Sequence, residues 1–412
     1  MGLGPSTKLT TLHHYQCPLT RRLLGEQDID FCGVIVHGVA ERYDDKIETA
    51  KRTGALAEAL GLDGAIVAID GWGNHHVDFV EVLRELGERQ IPTIALSYIG
   101  LQGRLVCTNP YVGTILDVNK HACGYESCVV GDNTITDDDA RKAVGLLRYK
   151  MGLPAQARPV QGPETIRQRL GIAAYPISAI PWGEVTAFAE NTLYIRRDIG
   201  AKHTYDENLI AAVTVQLIPP DQHHRLVHSN LDFFPIAAKE EGSLGEGITR
   251  LLQHVTVMVT GVDTEGIEPS NIGSSAGYLD EHVQFDQGGT PKATDYILHI
   301  HVTFCRGMST SARAIRAAHA VADTIVQDIR EALLARPDRP QQCTIYEDAS
   351  RPFAPHVGLV KIVSALGAMY ETALYPEEPG GFIHSRCLLD EGYGPIVLGA
   401  TEVLDGAIHS LL

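Results

Sequence analysis

The stretch "GVIVHGVAERYDDKIETAKRTGALAEALGLDGAIVAID" (33–70) holds two short apolar runs, 33–37 and 65–70, on either side of a segment with helical periodicity. Over 44–60 the apolar residues recur at i, i+3 and i+4, whereas the flanking runs are apolar throughout, the mark of strands buried on both faces. Strand, helix, strand of a parallel sheet is the predicted order. The same alternation continues as a helix over 77–89 and a strand over 91–97, with a further helix over 137–151. Residues 1–152 therefore read as an α/β, doubly wound, mostly parallel sheet of Rossmann-like type. The texture then changes: 152–183 carries five prolines (154, 159, 163, 176 and 181), so a Pro-rich linker is expected over 153–183. Residues 184–412 alternate more, at 211–218, 254–260, 296–304 and 357–363, and include one long helix over 309–335 opening on Ser309 and Thr310 as caps. A second, α+β domain is the expectation there.

At 412 residues and 44% hydrophobic the chain can bury two cores. Its 51 acidic residues against 34 basic ones leave a formal charge of −17, which repels phosphate backbones and anionic membranes; neither nucleic acid nor membrane is an expected partner. No run of 18 apolar residues and no basic, hydrophobic leader is present, so a cytoplasmic protein is expected. Eight cysteines without a C-x-x-C pair read as reduced thiols.

Five stretches carry candidate chemistry. "IDGWGNHHVD" (69–78) falls where a strand ends and a helix begins, the carboxyl edge at which open α/β sheets hold ligands. Gly71 and Gly73, around Trp72, allow tight turns, and Asp70, Asn74, His75 and His76 could bind a metal or exchange protons. The plain alternative is a solvated turn whose Asn74 caps the helix. "TLHHY" (11–15) reads as the end of a short strand, where neighbours point apart, so at most one of His13 and His14 would face a given pocket. "HIH" (299–301) puts His299 and His301 on one strand face, able to grip an ion with Asp295, Cys305 or His319 as a third ligand, or equally to hydrogen-bond within a packed sheet. "HACGYESC" (121–128) offers His121, Cys123, Glu126 and Cys128 but no second knuckle. "CRGMSTSARAIR" (305–316) joins Arg306 and Ser309 to a helix start, with Arg313 and Arg316 following, a carboxylate or phosphate site or ordinary capping. No Walker loop, G-x-G-x-x-G or G-x-S-x-G is present.

Two long stretches are familiar. "TKLTTLHH" followed by "FCGVIVHGVAERYDDKIETAKRTGALAEALGLDGAIVAIDGWGNHHVDF" resembles the C-terminal half of the glycine, sarcosine and betaine reductase component B proprotein family, and more distantly its D-proline reductase relatives. From about 185 on, the chain resembles that family's N-terminal half, and the closing "PIVLGATEVLDGAIHS" is similar to the segment before its processing site. The halves stand in swapped order. The resemblance thus implies a circular permutant with Leu412 and Met1 at the former junction. Family members cleave themselves before a cysteine that becomes a pyruvoyl group; no cysteine or serine follows Leu412, so no pyruvoyl group is expected. With that electrophile gone and histidines 13, 14, 75, 76 and 409 near the junction, the expectation is metal-assisted hydrolysis or elimination at a C–N bond of a small amino-acid-like, cyclic amide or urea substrate. His13, His14, Asp70, Asn74 and His76 would act catalytically, and His75, His76, His299 and His301 would hold zinc or a similar divalent metal. Gly71, Trp72, Gly73, Arg306, Ser309 and Glu402 would bind substrate. Two alternatives stand beside this: reductive C–N cleavage with an externally supplied carbonyl or a thiol such as Cys17, and a non-catalytic substrate-binding subunit. A homo-oligomer is expected.

Overall fold

The computed structural model describes residues 10–39, 42–69, 75–120, 122, 129–154, 159, 162–201, 203–269, 276–340, 343–363, 372–374, 382–384 and 395–409. The chain is α/β, and its first sheet has six strands in the order Ile396–Leu398, Asp30–Gly38, His356–Val363, Gly64–Ile69, Thr93–Ser97, Ile115–Asp117. All neighbours run parallel except Ile396–Leu398, which pairs antiparallel with Asp30–Gly38. Helices Tyr43–Ala59 and His75–Glu88 contribute Ala50, Ala57, Phe79 and Leu83 to the core on one face. Pro18–Leu24 and Asp137–Lys150 cover the other with Leu19, Leu23, Ala143 and Leu147. Both faces of the sheet are buried, which is why its strands read as unbroken apolar runs.

One strand of this sheet comes from far along the chain. His356–Val363, read from the sequence with the second lobe, pairs between Asp30–Gly38 and Gly64–Ile69. Thr165–Pro176, inside the stretch expected to be linker, is likewise a strand, and it belongs to the second sheet. That sheet runs Cys343–Ser350, Thr165–Pro176, Gly247–Asp263, Tyr296–Phe304, Ile210–Ile218, with Ser229–Glu241 paired antiparallel to Gly247–Asp263. Gly247–Asp263 changes partner along its length, parallel to Thr165–Pro176 up to Gln253 and parallel to Tyr296–Phe304 from Val255. His254 between them has φ +66, a left-handed residue at the bend. The helix Ala312–Leu334 packs Ile315, Ala322, Ile325 and Ile329 on this sheet, and its cap is Ser311 rather than Ser309 or Thr310.

Arg167 ties the two sheets together, donating to Phe31 O at 2.6 Å and to Asp348 at 2.8 Å and lying 3.1 Å from Asp30. A second tie is the short segment at 11–15, which is a helix and not the strand read from the sequence. Thr10 Oγ1 accepts the His13 N–H and closes the first turn. Asp232, on Ser229–Glu241, accepts both the backbone N–H and the hydroxyl of Thr11, at 3.1 and 2.8 Å. The 3-10 turn Gly406–His409 packs beside it, and a Cβ at Gly406 would meet the Tyr15 ring at 3.5 Å.

Candidate functional site

A cavity opens at the carboxyl edge of the parallel sheet, where Gly64–Ile69 and His356–Val363 end. Leu19 and Ile69 give it apolar walls, and His13, Tyr98, Asn133 and Lys361 supply its polar groups. Open parallel sheets bind ligands at this edge. The lysine is the unexpected member. Strand alternation turns Leu359, Lys361 and Val363 to one face, so a lysine stands among core residues and is 3% exposed.

Two groups lie beside its ammonium. His14 Nδ1 lies 3.5 Å from Lys361 Nζ, and Cys17, at the cap of Pro18–Leu24, hydrogen-bonds to it. Helical geometry brings both histidines to this cluster, His13 lining the cavity and His14 contacting the lysine. Burial, and then the charge of Lys361, hold both imidazoles well below their ordinary range, so both are neutral at physiological pH. Burial alone would raise the Cys17 thiol; the Lys361 charge and hydrogen bonds from Thr20 and Lys361 outweigh it and hold the thiol below its ordinary value. The arrangement is a cation with neutral imidazoles and an activated thiol beside it, suited to holding an anion and to thiol chemistry.

The other predicted residues lie elsewhere. Asp70, Gly71, Trp72, Gly73 and Asn74 fall outside the described residues, as do His121, Cys123, Glu126 and Cys128. His75 opens the helix His75–Glu88. His76 is buried against Phe79, with ring centroids 5.3 Å apart, and against Gly103, where a Cβ would meet the imidazole at 2.3 Å. Neither ring nitrogen of His76 has a hydrogen-bond partner among the described residues, and burial lowers its pKa to about 4. His299 and His301 do share a face, but the Thr260 hydroxyl sits between them, 2.7 Å from His299 Nε2 and 2.9 Å from His301 Nδ1. The three further ligands considered for them are engaged: Asp295 with Thr256, the Cys305 thiol with Glu207 O, and His319 near Asp232. Among the described residues no group of three or more His, Cys, Asp or Glu side chains converges as metal ligands do. Arg306 is exposed and pairs with Glu265 at 3.0 Å; Ser309 is buried near the start of Ala312–Leu334. Glu402 accepts the Gly399 N–H at 2.6 Å and caps Ala400–Val403. None of these three lines the cavity.

His76 has a measurable consequence for stability. Its folded pKa of about 4 lies below the ordinary 6.5, so below pH 6.5 the unfolded chain takes up a proton that the folded chain refuses. Stability is retained above 6.5 and lost as pH falls toward 4. His76 is expected to contribute about 2 kcal/mol of destabilisation between pH 7 and pH 5. Urea unfolding of His76→Leu should show that portion of the pH slope removed; an unchanged slope would mean the ring is solvated.

The family model described as "Glycine/sarcosine/betaine reductase component B subunits" matches residues 3–106 and 168–410. The D-proline reductase proprotein of Acetoanaerobium sticklandii is 33% identical over 242 residues, 58% of this chain and 38% of the relative. The betaine reductase complex component B subunit alpha of Peptoclostridium acidaminophilum is 32% identical over 94 residues, 22% of this chain and 21% of the relative. The glycine reductase complex component B subunits alpha and beta of A. sticklandii are 31% identical over 130 residues, 31% of this chain and 28% of the relative. The chain thus spans less than half the length of each of these relatives. No solved structure matches it. These relatives are named as reductase components, which overturns the expectation of metal-assisted hydrolysis or elimination and favours the reductase alternative. The resemblance read from "TTLHH", "AIVAIDGWGNHH" and "VLDGAIHS" is borne out: the chain belongs to the family of glycine/sarcosine/betaine reductase component B subunits.

Proposed function

We propose that this chain is a component-B-type subunit that binds a small amino acid in the sheet-edge cavity and takes part in reductive cleavage of its C–N bond. One observation carries the reading. The two stretches matched by the family model, 3–106 and 168–410, both reach the cavity: His13 and Tyr98 come from the first and Lys361 from the second, with Asn133 added by the segment between them. The relatives' names specify glycine, sarcosine, betaine and D-proline reductases, so the substrate class is a small amino acid or its N-methylated form. In the reaction the C–N bond breaks, the nitrogen leaves as the amine, and carbon takes up hydrogen. The two electrons and accompanying protons come from a dithiol reductant delivered through a partner component. Neutral His13 and His14 are suited to moving protons, and Cys17 is the thiol at hand.

The assembled complex isolated with this chain, given dithiothreitol, is expected to cleave at least one of glycine, sarcosine, betaine and D-proline. The rate should fall to background without the reductant. Turnover indifferent to the reductant, or none with any of the four, would overturn the assignment.

A further inference from the structure

Among the described residues Lys46, Arg148, Arg250 and Arg330 are buried cations, and each has a carboxylate beside it. Asp78 lies 2.6 Å from Lys46, Asp28 2.6 Å from Arg148, Glu240 2.7 Å from Arg250 and Asp323 2.8 Å from Arg330. Lys361, equally buried, has none among the described residues; its partners are a neutral imidazole and a thiol. A buried ammonium is costly unless an anion meets it. Lys361 also lines a cavity. Beside it His13 is 6% exposed, lines the same cavity, and has a buried Nδ1 without a hydrogen-bond partner among the described residues. Among the described residues, one wall therefore offers a positive charge without a carboxylate and a ring nitrogen without a hydrogen-bond partner.

We propose that Lys361 is the carboxylate anchor of this cavity, holding an α-amino carboxylate whose ammonium donates to Nδ1 of His13. The two groups complement the two ends of such a ligand: the lysine takes the anion, and the imidazole, kept neutral by its surroundings, accepts the N–H. Cys17 shares the lysine's charge in the absence of ligand and yields it to the carboxylate on binding. The inference rests on the function proposed above, since it concerns the same site, and it makes Lys361 a specificity-determining residue.

Calorimetric titration of the full chain with glycine, sarcosine and D-proline, and with the corresponding primary amides, tests it without any turnover. The carboxylates are expected to bind about tenfold or more tighter than the amides, the scale of one charged hydrogen bond. In Lys361→Met that preference should vanish, and in Lys361→Arg it should persist. A second measurement needs no variant: saturating carboxylate ligand should slow reductive methylation of Lys361 in the wild-type chain several-fold, leave surface lysines unaffected, and have no counterpart with the amides. Equal binding of acids and amides, a preference that survives Lys361→Met, or no binding at all would overturn the anchor. Binding that depends on Lys361 without reductive turnover in the complex would leave the anchor standing and remove the proposed function; turnover indifferent to Lys361 would do the reverse.

Discussion

Asp405→Ala is expected to lower the unfolding free energy by about 3–5 kcal/mol, the range for breaking a buried, hydrogen-bonded charge pair. Asp405 opens the "DGAI" segment and is fully buried. Its Oδ2 accepts from Lys239 Nζ at 2.8 Å and from the Gly245 N–H at 3.0 Å, and its Oδ1 accepts from the Thr249 hydroxyl at 2.8 Å and the Ala407 N–H at 3.0 Å. Alanine would strand four donors at once, each costing its own desolvation. Asp405→Asn keeps one acceptor oxygen and is expected to lose less. Urea unfolding curves at constant pH give both values, and a loss under about 1 kcal/mol for alanine would show that water replaces the carboxylate. The role is architectural: Asp405 fixes the Gly406–His409 turn on the second sheet, and that turn packs beside the helix that brings His13 and His14 to the cavity.

Local pattern served the first sheet well and sheet membership poorly. The strands at 33–37, 65–70 and 91–97 and the helices between them are visible because a sheet covered on both faces needs apolar runs alternating with amphipathic helices. The same physics hides His356–Val363. An apolar strand looks alike in either sheet, and its pairing with Asp30–Gly38 joins residues more than 300 positions apart. Thr165–Pro176 lies between Pro163 and Pro176 in a proline-rich stretch, where breakers drew the eye from the strand they bound. At the candidate site, "TTLHH" points to the histidines found beside the cavity but with the wrong backbone, because the residue that closes the helical turn is Thr10, just before the five residues read as a strand. Lys361, Tyr98 and Asn133 go unread. For Lys361 the mark is present, a single charge inside "HVGLVKIV", a strand otherwise fit for burial on both faces. Arg306 drew attention as the carboxylate ligand because it precedes a helix, yet position along the chain does not report exposure, and it stands at the surface with Glu265.

The second large effect lies on the opposite face of the first sheet, where Lys46 Nζ donates to Asp78 Oδ2 at 2.6 Å with both side chains almost wholly buried. His37 joins them, its Nε2 3.6 Å from Asp78 Oδ1 and its Nδ1 2.8 Å from the Thr53 hydroxyl. His37, Lys46 and Asp78 come from the end of Asp30–Gly38 and the first turns of the helices Tyr43–Ala59 and His75–Glu88, so the network pins two helix starts to the carboxyl edge that holds the cavity. Lys46→Met alone leaves a buried carboxylate short of its cation, and Asp78→Leu alone leaves a buried ammonium; each is expected to cost about 3–5 kcal/mol. The double variant Lys46→Met/Asp78→Leu removes both charges and fills the space with apolar atoms, so it should be less destabilised than either single change, with a coupling energy of at least about 3 kcal/mol. Additive losses in the double-mutant cycle would mean that each residue is held by its other neighbours and that the pair does not act as a unit. The outcome bears on the cavity as well, because Lys46, on a helix against one face of the sheet, and Lys361, on a strand facing the other, are both buried and differ in whether a carboxylate of the described chain meets them. If losing its anion costs Lys46 several kcal/mol, the same physics draws a ligand carboxylate to Lys361.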